Sequence, residues 1–309
     1  MAVFLATDTY DKEDDTISAT SLLKSTRKLI LAGRVPEQLN VTDIKDLTAS
    51  RIGTAIHDAI ERSWVNDPTP ALKALGYPQH YIDRVVVNPV PGSLGPDDVP
   101  IYLEQRAYKE VGGMKVSGKF DVVHDGRLED VKTTSTYVYL NGVNDKDYMY
   151  QGSIYRWLNP DLVTEDDMHI LFYLKDWAAS KAYSDPNYPL VPTPSKLIPL
   201  MSVEETDQFV KAKIAELQRY ADSPEKDLPF CSDDDLWRTQ PQWKWYSKPE
   251  NKNCQKKFTS KQAAYQHLAE KGKGIVVEAK GEVKACKYCP AYPLCTQKDT
   301  YLADGSLKT

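Results

Sequence analysis

Apolar positions recur with a helical period at four places along the chain. In 17–34, ISATSLLKSTRKLILAGR, Leu22, Leu23, Leu29 and Ile30 make an apolar stripe, and Ser18 or Thr20 can cap the helix. In 45–64, KDLTASRIGTAIHDAIERSW, Ile52, Ile56, Ala59 and Ile60 mark the buried side of a second helix. The pattern predicts a third helix over Asp145–Leu158 and an amphipathic fourth over 202–222, with Ser202 as its cap. A short helix over Ser260–Lys271 precedes GKGIVVE. Strands carry a different signal. His169–Trp177, HILFYLKDW, is largely apolar and predicts a central strand. Residues 101–137 read as an extended lead-in strand followed by a β-hairpin. Met114–Val123 is one arm of it and Leu128–Thr133 begins the other. Residues 65–100 are rich in Pro, Gly and Asp and form a connection, with a short helix near Pro70–Leu75.

The hairpin has a defined register. HDGR supplies Asp125-Gly126 as a two-residue loop, and both of its positions need positive φ. His124 then faces Arg127, Val123 faces Leu128, Val122 faces Glu129 and Asp121 faces Asp130. Because side chains alternate, Asp121, Val123, Leu128, Asp130 and Lys132 share one face and Glu129 takes the other. Opposed residues have Cβ atoms about 5 Å apart, so two carboxylates there repel each other. A hard divalent cation removes that cost, since Mg²⁺ takes carboxylate oxygens at about 2.0–2.1 Å. Lys132 points into the same space. An ordinary solvent-facing hairpin would carry such charges too, so other positions bear on the choice. On the second helix Gly53, His57 and Glu61 follow one another at four-residue spacing along one stripe. Glycine weakens a helix unless something approaches its backbone closely. Glu104 lies on the lead-in strand in phase with Arg106 and Tyr108. Gln151 and Tyr155 are one turn apart on the third helix and reach the same spot.

Composition narrows the class. The chain has 309 residues, 41% of them hydrophobic and 10% aromatic, which suffices for a large core. No stretch is apolar enough to predict a membrane span. The start, MAVFLATDTYDKEDD, lacks a basic leader and turns acidic, so a cytoplasmic location is expected. The formal net charge of −5 is not that of a protein coating nucleic acid over its whole surface. Contact with nucleic acid has to come from local basic patches or bridging metal ions. Lys24, Arg27, Lys28 and Arg34 form a basic side on the first helix. Between Trp243 and Lys261 lie six lysines and one acid, interleaved with Trp243, Trp245, Tyr246 and Phe258. Aromatic rings beside lysines suit a single nucleic-acid strand; a small hairpin with a polar outer face fits the segment as well.

Five cysteines in a cytoplasmic setting suggest metal ligands or free thiols rather than disulfides. CKYCPAYPLC places Cys286, Cys289 and Cys295 in a C-x2-C-x5-C pattern. Three thiolates on one short loop bind one metal centre and need a fourth ligand, for which Cys231 is the first candidate and Cys254 the second. Sulfur ligation of this kind means Zn²⁺ or an iron–sulfur cluster.

Together these pieces resemble the RecB-like and Cas4-like branch of the PD-(D/E)XK nuclease superfamily, and within it the bacteriophage-encoded exonucleases. GTAIHDAIE is similar to the family's first motif, with His57 in the metal-ligand position. GKFD carries Asp121 of the second, with Phe120 where the superfamily name has proline. EDVK carries Asp130 and Lys132 as D-x-K, and QGSIY is similar to Q-x-x-x-Y. The late cysteine trio with one earlier cysteine resembles the family's iron–sulfur staple. One such motif occurs by chance; five in order are specific.

The resemblance implies an α/β fold with a mixed central sheet flanked by helices, a restriction-endonuclease-like core over 1–225. A cysteine-ligated region over 226–309 would pack back on it. It implies a metal-dependent deoxyribonuclease, an exonuclease of phage DNA recombination, repair or degradation, working in the host cytoplasm. His57, Asp121, Asp130 and the Val131 carbonyl would hold Mg²⁺ or Mn²⁺. Lys132 would orient water or stabilise charge, Glu104 would hold a second metal or position water, and Gln151 and Tyr155 would hold the DNA backbone. Cys231, Cys286, Cys289 and Cys295 would carry a [4Fe–4S] cluster, with Zn²⁺ as the alternative. Expected partners are DNA with a free end or single strand, and phage recombination or replication proteins. A different class of function, a non-catalytic module that binds DNA ends, fits the cysteines equally but leaves Asp121, Asp130 and Lys132 without a role.

Overall fold

A computed structural model describes residues 1–7, 13, 15–39 and 43–308. The chain is α/β and falls into two compact units, Met1–Leu23 with Thr42–Ala215, and Lys24–Val41 with Glu216–Thr309. The strands of the first unit are β1 (Thr16–Ser18), β2 (Val85–Val87), β3 (Val99–Leu103), β4 (Arg106–Val111), β5 (Met114–Lys119), β6 (Val122–His124), β7 (Arg127–Thr134), β8 (Asp167–Leu174) and β9 (Ser195–Pro199). Those of the second are β10 (Gln242–Tyr246), β11 (Lys256–Phe258) and β12 (Ile275–Ala279). The main helices are α1 (Ala19–Leu22), α2 (Thr26–Ala32), α3 (Thr48–Val65), α4 (Asp145–Leu158), α5 (Val203–Tyr220) and α6 (Lys261–Lys271). Among the described residues no helix is long and apolar enough to cross a membrane.

In the first unit a six-stranded sheet has the order β2-β3-β6-β7-β8-β9. It is mixed, because β7 and β8 run parallel across the α4 crossover while β6–β7 and β8–β9 are antiparallel. Both faces are covered. Leu128, Met168, Ile170 and Phe172 pack with Ile154 and Trp157 of α4 and with Val210 and Ile214 of α5. On the other face Ile101, Leu103 and Val122 pack with Trp64 of α3. A second sheet, β1-β5-β4, leans on α4 through Gly118, where a Cβ would lie 2.6 Å from Leu158 Cδ1 and 2.9 Å from Tyr155 Cδ1. Glycine is the residue that lets α4 approach β5 this closely.

The hairpin register is as the Asp-Gly loop predicts. Val122 pairs with Glu129, Val123 with Leu128 and His124 with Arg127, and Asp125 and Gly126 both have positive φ. The arms are not continuous, however. The expected Met114–Val123 strand stops at Lys119 and resumes at Val122, and the lead-in strand stops at Leu103 and resumes at Arg106. Glu104, with φ +53°, redirects the chain, so β3 and β6 join one sheet while β4 and β5 join the other. The ladder therefore ends one pair short of Asp121 and Asp130, which are not opposed strand partners.

Two further expectations need correction. The helix over 17–34 is broken: Ser18 caps α1 by accepting from the Ser21 N–H, and Ser25 starts α2 by accepting from the Lys28 N–H. Two local capping serines outcompete a continuous apolar stripe, and the break lies where the chain passes from one unit to the other. On α3, Ile52 and Ala59 are exposed and no residue is fully buried, because only part of that helix packs on the sheet. The amphipathic fourth helix and the Asp145–Leu158 helix form as read.

Candidate metal site and cysteine centre

The strand breaks place acidic groups at the sheet's end. Across the gap the Glu104 N–H donates to the Asp121 carbonyl at 2.9 Å, and the Phe120 N–H donates to the Gln105 carbonyl at 3.2 Å. Asp121, freed from the ladder, accepts the Val131 N–H on Oδ2 at 2.8 Å. From α3, His57 brings Nδ1 to 3.3 Å from Asp121 Oδ2 and 4.0 Å from Glu104 Oε1. One ligand atom from each of His57, Glu104 and Asp121 lies within 4.8 Å of the other two. Glu61 and Val131 line the same small pocket. Gly53 is not forced by the protein itself, since a Cβ there would meet Thr133 Oγ1 at an ordinary 3.9 Å.

Behind this trio, Asp130 is 1% exposed and pairs with the Lys132 ammonium. Apart from that ion pair on Oδ2, the Asp130 carboxylate has no hydrogen-bond partner among the described residues. Burial, with the negative charge of Asp121 nearby, pushes Asp130 up to about 6 against the pull of Lys132. Burial resists charging of Lys132, but Asp130 and Asp121 hold its ammonium above the ordinary value. The Lys132 ammonium also lies 5.7 Å from the centre of the Tyr148 ring. Glu104 is raised by burial and by Asp121, although Lys119 lies 2.5 Å from Oε2. Burial also opposes charging of Asp121, yet the His57 hydrogen bond and the Lys132 charge hold it below the usual range. His57 is raised, chiefly by its hydrogen bond to Asp121. Two carboxyls thus sit at a cost in their charged form beside an imidazole, and Asp130 Oδ1 is buried and not engaged by Lys132. That donor set, hard oxygens with one imidazole nitrogen, fits Mg²⁺ or Mn²⁺.

Glu129 lies on the face of β7 opposite Asp130, in phase with Val122 and Val131, and meets His124 Nε2 at 3.2 Å and His169 Nδ1 at 3.5 Å. Gln151 and Tyr155 meet, Nε2 donating to the tyrosine oxygen at 2.8 Å. Tyr155 is buried in the core, and neither residue lines the pocket. Sequence reasoning missed Lys119; its place two residues before Asp121 was the available signal.

The second unit holds the cysteines. Cys286, Cys289 and Cys295 come from the loop after β12, and Cys231 from the segment after α5. Cys231 is fixed by Gln297, which accepts its N–H at 2.9 Å and donates to its carbonyl at 3.1 Å. Ser25 Oγ lies 3.2 Å from its sulfur. Burial pushes the Cys231, Cys286 and Cys289 thiols up, Cys286 to about 11, and in each case a neighbouring cysteine adds to the shift. Cys254 lies in the connection between β10 and β11. Arg27, 1% exposed, donates to Cys295 Sγ at 3.3 Å and to the Leu228 carbonyl at 3.0 Å. Among the described residues no three cysteine sulfurs lie within 4.8 Å of one another, unlike the ligand atoms of His57, Glu104 and Asp121. Burial disfavours bare thiolates at Cys231, Cys286 and Cys289, and a metal centre would hold them.

No family model matches the chain, and no curated protein matches it. Among solved structures, the crystal structure of a protein designated SSO0001 aligns with a TM-score of 0.40 and 16% identity, covering 70% of this chain and 81% of that one. A TM-score of that size carries no argument about activity.

Proposed function

We propose that the protein is a metal-dependent deoxyribonuclease that hydrolyses phosphodiester bonds from DNA ends. The observation that carries the reading is the convergence of His57, Glu104 and Asp121 within 4.8 Å, next to the Asp130–Lys132 pair. In this reading His57, Asp121, Asp130 and the Val131 backbone hold Mg²⁺ or Mn²⁺. When bound, the cation lowers the pKa of a water molecule and neutralises charge on the phosphoryl oxygens.

The chain's own groups do the rest. Hydrolysis forms a bond from the water oxygen to phosphorus and breaks one ester P–O bond, and the water's proton ends on the departing alkoxide. Lys132 places a fixed positive charge where negative charge develops. Asp130 keeps that ammonium oriented. Glu104 accepts a hydrogen bond from the attacking water and sets its direction, while Lys119 holds Glu104 in place. Val131 N–H fixes the Asp121 carboxylate. In the second unit, Cys231, Cys286, Cys289 and Cys295 carry a structural centre, [4Fe–4S] by the family resemblance and Zn²⁺ as the alternative.

The test is a digestion time course on end-labelled duplex and single-stranded DNA with Mg²⁺, Mn²⁺ or EDTA. Metal-dependent release of label, abolished by EDTA, is expected. Tight binding to DNA ends without cleavage under any metal would replace this reading with the non-catalytic end-binding one.

A further inference from the structure

The lysine-rich segment 242–261 has six lysines and one glutamate in a chain with 39 basic against 44 acidic residues. Its fold decides which of these side chains share a surface. Trp245 of β10 is buried and meets the His267 ring of α6 edge-on at 4.9 Å. Phe258 of β11 lies 5.2 Å from the same ring and is the strand partner of Trp243. These aromatic rings take the helix side of the β11-β10-β12 sheet, which agrees with the reading of the segment as a small hairpin with a polar outer face rather than as a stacking platform.

Alternation turns Lys244 and Tyr246 to that outer face. Lys257 is the direct partner of Lys244 on one side and Val277 on the other, and directly opposed residues share a face. Lys257 and Val277 are exposed. Glu278 pairs with Trp243 and so belongs to the other side. Among the described residues neither Lys244 nor Lys257 forms an ion pair. Two lysines directly opposed, with Cβ atoms about 5 Å apart, destabilise the sheet unless an anion lies over them. Lys248 and Lys252, in the connection between β10 and β11, add to the charge.

We propose that this outer face, centred on Lys244 and Lys257, binds the phosphate backbone of duplex DNA. The choice of a nucleic acid rests on the nuclease reading; the choice of the duplex rests on the face. Single-strand binding without sequence preference draws on exposed rings, and here only Tyr246 is on the lysine side. A surface that binds by charge favours the denser phosphate array, about one charge per 1.7 Å of duplex axis.

The experiment compares the parent with a Lys244→Gln/Lys257→Gln variant by fluorescence anisotropy in EDTA. The probes are a labelled blunt duplex and the same strand alone, over a salt series. The duplex slope of log K against log salt should become shallower by about 1.8, about 0.9 for each lost phosphate contact. Affinity for the duplex falls accordingly at low salt. The melting temperature should not fall, since a repulsive pair has been removed. Equal duplex affinity and slope overturn the proposal, and so does a loss confined to the single strand. Mn²⁺-dependent hydrolysis of bis(p-nitrophenyl) phosphate and of DNA reads the candidate metal site separately. If the parent cleaves neither while the duplex slope still depends on the two lysines, the nuclease reading fails and this face stands.

Discussion

The backbone of Glu104 is tied to that of Asp121 by one hydrogen bond of 2.9 Å, at the level where two strands break together. The positive φ of Glu104 costs on the order of 1–3 kcal/mol for a residue other than glycine. What that conformation achieves is geometric: it frees the Asp121 carboxylate from the ladder and brings Glu104 into reach of His57 and Lys119.

Asp121→Asn and Lys132→Ala should each lower metal-dependent DNA cleavage by about a hundredfold or more, the usual effect of removing one group that stabilises developing charge. Glu129→Gln, on the opposite face of β7, should stay within a few-fold of the parent. Initial rates on linear DNA in Mn²⁺ check this. An equal loss in Glu129→Gln would contradict the assignment of faces.

His57→Ala should shift the Mn²⁺ titration of cleavage to higher metal and weaken Mn²⁺ binding measured by calorimetry without DNA. Its melting temperature in EDTA should fall little at about pH 8.5, where the stabilisation that a raised imidazole pKa confers is reduced. An unchanged metal titration would make His57 a structural residue only.

Cys289→Ser should lower solubility and melting temperature before it touches activity, since metal bound by ligands distant in sequence contributes folding free energy directly. Cys254→Ser should be tolerated. Iron, acid-labile sulfide and zinc are measured on anaerobically purified protein; iron and sulfide in similar amounts support the cluster, and zinc alone replaces it. Absence of all three, with Cys289→Ser as stable as the parent, would refute a metal centre.

Stability should show a pH-dependent share from His124. The hydrogen bond to Glu129 raises the folded pKa of His124. A raised pKa means the stabilisation is complete below the unfolded value of about 6.5 and disappears as pH rises through the folded value. His124→Ala should therefore cost more melting temperature at about pH 6 than at about pH 8.5, Glu129 being ionised at both. A difference independent of pH would show that the pair contributes through packing alone.

Gly118→Ala should destabilise the first unit by about 1–3 kcal/mol, the range for forcing atoms into a filled space. The new Cβ would stand 2.6 Å from Leu158 Cδ1 and 2.9 Å from Tyr155 Cδ1. Chemical denaturation reads the change, and a neutral result would mean that α4 moves away from β5 without cost.

The sequence by itself determined the hairpin register, the Asp145–Leu158 helix and the separation of Glu129 from Asp130. Those follow from local rules: a two-residue Asp-Gly loop pins the pairing, and alternation or helical period then assigns every face. It also singled out His57, Glu104 and Asp121, though not their mutual position. Only the tertiary structure decided that Asp121 leaves the ladder and that Tyr155 is a core residue. It alone decided that the lysine-side face of the small sheet has turned its tryptophans away. Each of these depends on which of two possible neighbours an element packs against. Strand alternation divides residues into two sets, but a short sequence window does not say which set meets a helix.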